Sequence, residues 1–326
     1  MKNKENIMVS ICCTTYNHAK YIKQALDGFV MQKTDFKYEI LVYDDCSLDG
    51  NIEIIREYEK KYPELFDVII AEENYYSKGI KVGNVNYRRA KGKYIAVCEG
   101  DDYWTDPYKL QKQYDYMEAN DSCTICFHNA RIIDMESDLD RIFVPYLHEN
   151  KRFMKKNNEY NMGEVELLGF IPTASLFFRA KYIKEMPDFM EYAMPGDSAV
   201  KLFLTSQGYA YMFSDIMSVY RVNSINSIMK SWAKSQKDID KKKIFLDKVY
   251  RTIEDFNKYT DYKYNDELDL SNRYREFDYL YVSNDKECVK NKRYKICIKS
   301  FSLKRKIAIY LKFYFPFVFK ILRGEK

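Results

Sequence analysis

Residues 94–104 have the sequence YIAVCEGDDYW, and this stretch indicates the class of fold to which the chain belongs. The first five residues are apolar, and a short continuous apolar run is typical of a strand buried on both faces. Glu99, Asp101 and Asp102 follow within four positions. Because carboxylates repel one another and resist burial, a cluster of them at the tip of a buried strand indicates a place where a ligand binds.

The segments before this strand repeat the same order of strand and helix. Apolar runs occur at residues 9–13, 38–43 and 67–71, with helix-like spacing of apolar side chains between them. These runs are apolar at most successive positions and do not alternate between apolar and polar residues. Such strands predict an α/β fold with a mostly parallel sheet flanked by helices. Ligands bind such sheets beyond the carboxyl ends of the strands. Asp44 and Asp45 end the second strand, so both acidic clusters are expected at that edge.

The composition is that of an ordinary globular protein. Of the 326 residues, 46% are apolar, which is enough for a sizeable core. Cys123 and Cys126 form a C-x-x-C, but no second pair follows at the spacing of a zinc site. We expect the eight cysteines to be reduced and to pack as small hydrophobic side chains. The polar first residues do not form a secretory signal, so a cytoplasmic location is expected.

The net charge of +5 is concentrated at one end of the chain. Residues 286–326 contain 13 Lys and Arg against two Glu, a net +11, which leaves −6 for the remainder. After residue 122 the alternation loosens, although strands at 174–178 and 217–220 and a helix at 197–206 are predicted. Residues 226–285 are charged and predicted to be helical. A basic tail on an otherwise mildly acidic protein indicates an anionic partner.

The last segment is both apolar and basic. Its apolar core, residues 307–322, has 16 residues and includes Lys312 and Lys320, whereas a spanning helix needs about 20 apolar residues. Pro316 would also kink it. We predict a basic amphipathic segment at about 301–323 that lies on an anionic membrane surface, peripheral on the inner face of the cell membrane. A helix packed back on the protein is the alternative.

Two carboxylate clusters at one sheet edge predict a cation between them. Mg²⁺ and Mn²⁺ prefer oxygen ligands, and Mg²⁺ commonly takes one or two protein carboxylates and leaves other positions to water and substrate phosphates. The edge is therefore suited to a metal ion with a diphosphate. A solvated acidic loop with helix-capping aspartates is the structural alternative.

Several motifs together resemble family 2 glycosyltransferases of the GT-A fold. They are TTYN at residues 14–17, DDCSLDG at 44–50, AKGKYI at 90–95 and EGDDYWTDP at 99–107. The motif EGDDYWTDP is similar to the corresponding motif of bacterial enzymes that build capsular or surface polysaccharide. The resemblance covers about residues 8–225, which implies a GT-A domain at 1–225 and a helical C-terminal region at 226–326.

The resemblance implies roles for five residues of the sheet edge. Thr14 and Tyr16 would contact the nucleotide base and ribose, and Asp45 would hydrogen-bond the base, commonly uracil. Asp101 would face the ribose or phosphates. Asp102 would be the main protein ligand of Mn²⁺ or Mg²⁺, which bridges to the diphosphate. For Thr14 and Tyr16, ordinary packing at the strand end remains an alternative.

A third element of the family is an aspartate that acts as a base. Asp197, after the turn at Pro195 and Gly196, is the best match, and a simple N-cap aspartate is the alternative. The acceptor is expected near Trp104 and residues 170–175, including Thr173. Aromatic faces suit sugar rings, although Trp104 could equally belong to the core.

The chain departs from the family pattern in two places. Residues 82–84 are Val-Gly-Asn where many relatives have Ala-Arg-Asn, so Lys78 and Lys81 are the candidate replacements for the arginine. Asn223 stands where relatives often have a histidine.

The resemblance implies an inverting transfer of a sugar from a nucleotide-diphosphate sugar, commonly a UDP-sugar, to a hydroxyl of a glycan or lipid-linked acceptor. A sugar nucleotidyltransferase is the first alternative, although residues 13–17 lack the Gly-rich basic loop usual in that class. A nucleotide-sugar-binding protein without catalysis is the second. Nucleic-acid binding through the tail is not expected, because the tail's core is too apolar.

Overall fold

The computed structural model describes residues 6–143, 157–225 and 238–323. Its strands are β1 (Ile7–Thr15), β2 (Lys37–Asp44), β3 (Phe66–Ile70), β4 (Tyr94–Val97), β5 (Tyr103–Trp104), β6 (Cys123–Asp134), β7 (Asp140–Ile142), β8 (Glu159–Tyr160), β9 (Phe177–Arg179) and β10 (Tyr209–Val222). They form one mixed sheet in the order β3-β2-β1-β4-β9-β6-β10-β5, with β7 beside β6 and β8 beside β10.

The first half of the sheet is parallel, as the buried apolar runs predict. β1 lies between β2 and β4 and is parallel to both, and β3 is parallel to β2. Thr15 pairs with Asp44, and Cys12 pairs with Val97. The carboxyl ends of β1, β2 and β4 therefore meet at one edge, and the predicted α/β fold is confirmed.

Helices cover this sheet because their apolar residues recur at helical spacing. They are α1 (Ile22–Val30), α2 (Asn51–Lys61), α3 (Gly83–Arg89), α4 (Lys109–Ala119), α5 (Met162–Leu168), α6 (Lys181–Lys184) and α7 (Gly196–Ser206). The first of them buries Ile22, Leu26 and Phe29 in the core. That core also holds Ile11 from β1 and Ile40 from β2.

The second half of the sheet is mixed in direction, which the sequence did not predict. β9 is antiparallel to both of its neighbours, β4 and β6. β10 is parallel to β6, and β5 pairs with it in antiparallel register, Trp104 opposite Ser218. The strand pair β5–β10 brings the end of β10 beside the acidic loop of residues 98–102, which becomes important for the site.

Two loops beside the sheet edge have short local structure. Between β3 and β4 the chain forms a 3₁₀ turn at Tyr76–Lys78 and the short helix α3. Between β1 and α1, which starts at Ile22, Asn17 adopts a left-handed backbone with φ 52°. Its Oδ1 accepts a hydrogen bond from Leu48 N at 2.8 Å, so Asn17 ties two loops together.

The C-terminal region is helical where it is described. It contains α8 (Ile239–Tyr259), α9 (Asn265–Val282), α10 (Glu287–Lys290), α11 (Lys295–Ser300), α12 (Leu303–Tyr314) and α13 (Pro316–Arg323). The predicted helical content of residues 226–237 lies outside the described residues. Val249 and Phe256 of α8 and Leu268 of α9 pack with Leu202 of α7, so these helices are attached to the sheet.

The tail is broken at the proline, as predicted, since α12 ends at Tyr314 and α13 begins at Pro316. Ile309 and Phe313 of α12 pack in a separate core with Phe277 of α9. Leu303, Phe317 and Leu322 are largely exposed, Phe317 to 77%. Among the described helices, none combines the length and the apolar character required to cross a bilayer.

Candidate active site

The acidic loop is joined directly to the tip of β1. Gly100 N donates to the carbonyl oxygen of Thr14 at 3.0 Å. A Cβ added at Gly100 would overlap the side chain of Thr15 and stand 3.0 Å from Ile22 Cδ1. Only glycine fits this approach without rearrangement. The carboxylates of the loop are thus held against the strand end where the sequence predicts nucleotide contacts.

The two aspartates of the loop are held by residues from the end of β10. Asp102 is only 1% exposed, and its Oδ1 accepts a hydrogen bond from Arg221 N at 2.7 Å. Asp101 Oδ2 accepts one from Ser224 Oγ at 2.7 Å. Because both donors lie more than a hundred residues away in sequence, the carboxylates adopt these positions only once β10 has paired.

Arg221 also fixes the loop with its side chain. The guanidinium donates to the carbonyl oxygen of Asp101 at 2.5 Å and to Gln24 Oε1. It lies 4.5 Å from the ring centre of Tyr103 and 5.0 Å from that of Tyr21. A guanidinium between two aromatic faces is a favourable cation–π arrangement. This role of Arg221 was not predicted from the sequence, because it depends on contacts among three segments that are far apart along the chain.

The carboxylates of this edge lie close enough to perturb one another. Burial raises the pKa of Glu99 to about 8, and repulsion by Asp101 and Asp197 adds to it. Burial also holds the pKa of Asp102 well above its ordinary value, with further contributions from Asp101 and Glu99. Asp197, in the first turn of α7, contributes to the raised pKa of Glu99 and therefore lies within electrostatic range of the acidic loop. The structure therefore brings Asp101, Asp102 and Asp197 to one region.

Asp197 lies in the first turn of α7, whose N-cap position is taken by Pro195. Its Oδ2 pairs with Lys201 Nζ at 3.3 Å, one helical turn further on. The ammonium is buried, while the Asp197 side chain is about one third exposed. Asp197 is thus oriented by a buried cation and partly exposed, and the N-cap position held by Pro195 disfavours the alternative of a simple N-cap aspartate.

Asp45 is 1% exposed and holds a loop in this structure. Its two carboxylate oxygens accept hydrogen bonds from Tyr75 N and Tyr76 N, both at 3.0 Å. The neighbouring Asp44 accepts from Ser47 and from the amide of Asn51, so it shapes the turn after β2. Contact between Asp45 and a nucleotide base remains a prediction.

Thr14 and Tyr16 are both half-buried at the end of β1, where the predicted nucleotide contacts require them. His18 was missed in the sequence. Its Nε2 lies 4.0 Å from Asp101 Oδ2, and its Nδ1 lies 3.2 Å from Thr15 Oγ1. Burial lowers the pKa of His18, and Asp101 partly opposes this shift. His18 thus links the β1 tip with the acidic loop.

Trp104 belongs to the core, which is the alternative that the sequence left open for it, and it is therefore not a candidate for direct contact with an acceptor. It is 2% exposed, its Nε1 donates to Ala174 O at 2.8 Å, and its ring packs edge-on against Phe29 at 4.9 Å. Thr173 is half-buried and begins the 3₁₀ turn Thr173–Ser175. The indole therefore supports that turn from beneath.

The side chains considered at the two departures from the family pattern each bind partners outside residues 98–102. Lys81 Nζ donates to the carbonyl oxygens of Met190, at 3.1 Å, and Ala193. Lys78 pairs with Glu73 at 2.5 Å. Asn223 Nδ2 donates to Asp134 Oδ1 at 2.9 Å. Replacement of the family arginine by either lysine would therefore require that lysine to leave its present partners.

The donor set of the acidic loop fits a divalent cation bound through few protein ligands. Across residues 6–143, 157–225 and 238–323, no three His, Cys, Asp or Glu side chains are arranged to hold a metal ion. Burial and mutual repulsion nevertheless raise the pKa of Glu99 and of Asp102, and a bound cation would offset that repulsion. Asp101 and Asp102 therefore suit an ion that takes one or two carboxylates and completes its shell with water and phosphate oxygens.

Residues 10–185 match the sequence model of Glycosyl transferase family 2, which is more than half of the chain. The uncharacterized protein Rv1520 of Mycobacterium tuberculosis is 34% identical over 217 residues, 65% of this chain and 58% of that protein. The putative teichuronic acid biosynthesis glycosyltransferase TuaG of Bacillus subtilis is 34% identical over 120 residues, 37% of this chain and 45% of TuaG. The matched part spans less than two thirds of either relative.

Solved structures with a similar fold include TarS and PcManGT. S. aureus TarS 1-349 in complex with UDP-GlcNAc has a TM-score of 0.56 at 15% identity, covering 94% of this chain and 87% of that one. The mannosyltransferase PcManGT from Pyrobaculum calidifontis, in complex with GDP-Man and Mn²⁺, has a TM-score of 0.50 at 14% identity, covering 97% and 84%. These likenesses confirm a GT-A-like α/β fold with a C-terminal helical region.

Proposed function

The chain belongs to glycosyl transferase family 2, and on that premise we propose that it transfers a sugar from a nucleotide-diphosphate sugar to an acceptor hydroxyl. The observation that carries this proposal is the placement of Asp101 and Asp102 at the carboxyl edge of the sheet, where Gly100 N donates to the carbonyl oxygen of Thr14 and Arg221 N donates to Asp102. A base beside a carboxylate site for a diphosphate is the arrangement that a single displacement at the anomeric carbon requires.

The donor is proposed to be a UDP-sugar, bound between the tip of β1 and the acidic loop. Thr14 and Tyr16 would contact the base and ribose, and Asp101 would face the ribose or phosphates. Support comes from TarS, which binds UDP-GlcNAc and has the same fold. The carboxylate oxygens of Asp45 already accept hydrogen bonds from the amides of Tyr75 and Tyr76. Each oxygen has a second lone pair, so Asp45 would accept a hydrogen bond from the base in addition to these two.

Asp102, with Asp101 beside it, would hold Mn²⁺ or Mg²⁺. When bound, such an ion supplies positive charge to a departing diphosphate. The hydrogen bond from Arg221 N fixes Asp102 Oδ1 and leaves Oδ2 as the oxygen best placed for a ligand role. PcManGT was solved with Mn²⁺, which supports the same class of ion here.

The chain's own residues would act on the acceptor. Asp197 would accept the proton from the attacking hydroxyl as the new glycosidic bond forms and the bond to the diphosphate breaks. Lys201 would hold the carboxylate in place through its ion pair. One displacement inverts the anomeric configuration, because no enzyme carboxylate forms a covalent intermediate.

The acceptor is proposed to be a glycan or a lipid-linked precursor of a bacterial surface polysaccharide. The similarity to TuaG, a putative teichuronic acid glycosyltransferase, supports this class. The exposed side chains of α12 and α13 are called the tail face here, and they include apolar Leu303, Ile307, Phe317 and Leu322 and basic Lys304 and Lys320. The tail face would place the protein at the inner face of an anionic membrane, where lipid-linked acceptors lie.

A donor screen tests this function. The full chain would be incubated with Mn²⁺ and each of several UDP- and GDP-sugars, and release of the nucleoside diphosphate would be measured with and without glycan acceptors. We expect one sugar to be hydrolysed slowly and transferred faster when an acceptor is present. Pyrophosphate release from a nucleoside triphosphate and sugar phosphate would instead indicate a nucleotidyltransferase. Binding of a donor without any turnover would indicate a protein that has lost catalysis.

A further inference from the structure

The loop that leads into Asp197 is held by a lysine from a distant segment. Lys81, just before α3, donates to the carbonyl oxygens of Met190 and Ala193. A Cβ added at Gly196 would lie 3.9 Å from Lys81 Nζ, so the ammonium stands beside the first residue of α7. This contact connects the β3–α3 segment with the loop immediately before the proposed base.

A second contact holds the same loop, and it comes from the C-terminal helices. Met194 N donates to Thr252 Oγ1 of α8 at 2.8 Å. The hydroxyl of Thr252 in turn donates to Lys248 O within its own helix at 3.1 Å, so its orientation is defined. Arg251 also lies 5.4 Å from the ring centre of Tyr192. The C-terminal helices therefore contact the loop of the base directly.

These contacts are costly to lose, since they are partly buried and two of the loop residues they serve are buried. Met190 and Ala193 are buried, and the carbonyls that accept from Lys81 would lose a charged donor. Burial lowers the pKa of Lys81, and the negative charge of Glu191 partly offsets this shift. The lowered pKa indicates that the Lys81 ammonium is partly removed from water.

We propose that Lys81 and Thr252 are positioning residues that set where Asp197 stands relative to the acidic loop. The proposal rests on the proposed function, in which Asp197 is the base. Reacting groups must be held close to their productive geometry, and a displacement of about 1 Å can cost about 100-fold in rate. The helical region is thereby part of the catalytic framework, and Lys81 serves the base rather than replacing the family arginine at the diphosphate.

The test compares Lys81→Met with Lys81→Arg, which keeps a donor, and with Lys184→Met, an exposed lysine just before the same loop. We expect Lys81→Met to lower kcat by about tenfold or more while the KM for the donor changes less than about twofold. Lys81→Arg should recover much of kcat, and Lys184→Met should match the wild type. Thr252→Val, which keeps the side-chain shape, should lower kcat in the same way. It replaces Lys81→Met as the test variant if Lys81→Met is too unstable to assay.

A double variant separates positioning from general destabilisation. In an Asp197→Asn background, Lys81→Met should lower kcat little further, because it acts through a base that is already absent. Additive losses, or a kcat for Lys81→Met equal to wild type, would overturn the proposal.

Hydrogen exchange of residues 190–199 keeps the outcome separate from the proposed function. Lys81→Met should raise exchange there, and Lys184→Met should not. If the wild type transfers no sugar, the proposed function fails, whereas unchanged exchange in Lys81→Met shows that the lysine does not hold the loop and rejects the positioning role.

Discussion

The backbone amide of Arg221 donates to Asp102 Oδ1 at 2.7 Å across a separation of 119 residues. One carboxylate oxygen is thus occupied by the protein itself, and the orientation of the other is defined. The end of β10 therefore decides how the acidic loop presents its charge. This relationship shapes the first prediction.

Asp102→Asn should retain the fold and lose metal-dependent turnover. The amide oxygen can still accept from Arg221 N, but a neutral oxygen is a much weaker ligand for Mn²⁺ or Mg²⁺. We expect Mn²⁺ affinity, measured by calorimetry, to fall at least about tenfold. Asp215→Asn is a matched control, because Asp215 is an exposed partner of Lys112. Mn²⁺ binding equal to wild type would remove Asp102 as a ligand.

Asp197→Asn should bind the donor normally and lose transfer by about 100-fold or more, because an amide cannot accept the proton. Asp197→Ala should in addition be less stable than Asp197→Asn by about 1–3 kcal/mol, since the buried Lys201 ammonium loses the side chain with which it pairs. Donor binding by calorimetry and urea unfolding check the two parts. Normal transfer by either variant would exclude Asp197 as the base.

Gly100→Ala should destabilise the protein and disturb the acidic loop. The added methyl group would overlap Thr15 and press on Ile22, and overpacking of this kind costs about 1–3 kcal/mol. Gly83→Ala is the control, because a Cβ there meets nothing within 4 Å and the helix gains a better helix former. Urea unfolding of both variants measures the difference. Equal stabilities would mean that the close approach of Gly100 to β1 is relaxed in solution.

The tail face should bind anionic membranes through side chains that the fold leaves exposed. Deleting residues 301–326 is a poor test, because Phe301, Ile309 and Phe313 belong to the core formed with α9. We expect Phe317→Ser combined with Leu322→Ser to reduce sedimentation with phosphatidylglycerol vesicles at least about threefold. The wild-type binding should also weaken with salt. Ile244→Ser, exposed on α8, should have no effect. Unchanged sedimentation of the double variant would assign these helices to the protein's own packing.

Lys109 should make stability depend on pH. It is fully buried, its Nζ lies 4.1 Å from the ring centre of Trp104, and it donates to Gln113 at 2.7 Å. Burial lowers the pKa of Lys109 to about 7, and Cys126, Cys98 and Asp106 partly oppose the shift. The unfolded chain, with an ordinary lysine pKa of 10.5, therefore binds a proton that the folded protein lacks between pH 7 and 10.5. The free energy of unfolding that depends on Lys109 therefore rises as the pH increases from 7 to 10.5. This contribution is lost as the pH falls through the folded-state pKa of about 7.

The measurement is the difference in unfolding free energy between wild type and Lys109→Met at pH 7, 8 and 9. We expect this difference to shift in favour of the wild type by up to about 1.4 kcal/mol per pH unit. Lys112→Met on the same helix provides the control, because ion pairing with Asp106 and Asp215 raises the pKa of Lys112 instead. Parallel pH profiles for wild type and Lys109→Met would show that the Lys109 amine stays protonated in the fold.

Local pattern was enough to predict the parallel half of the fold. Burial on both faces selects continuous apolar runs, and each of those runs is contained within one short segment. The same logic placed Asp44–Asp45 and Glu99–Asp102 at one edge, because parallel strands share the direction of their carboxyl ends. The break in the tail at Pro316 was likewise predictable, since it depends on the missing amide of one residue.

The remainder depends on contacts between distant segments. An antiparallel β9, the burial of Trp104 beneath Ala174, and the anchoring of Lys81 to the loop before Asp197 carry no local signature. Hydrophobic periodicity reports which face of a segment is buried but not which segment covers it. Local pattern in the chain therefore sets the parallel strands and the position of their acidic tips. The backbone amides, cations and loops that those acids meet are set by the folded arrangement alone, because such partners are chosen by packing across the whole sheet.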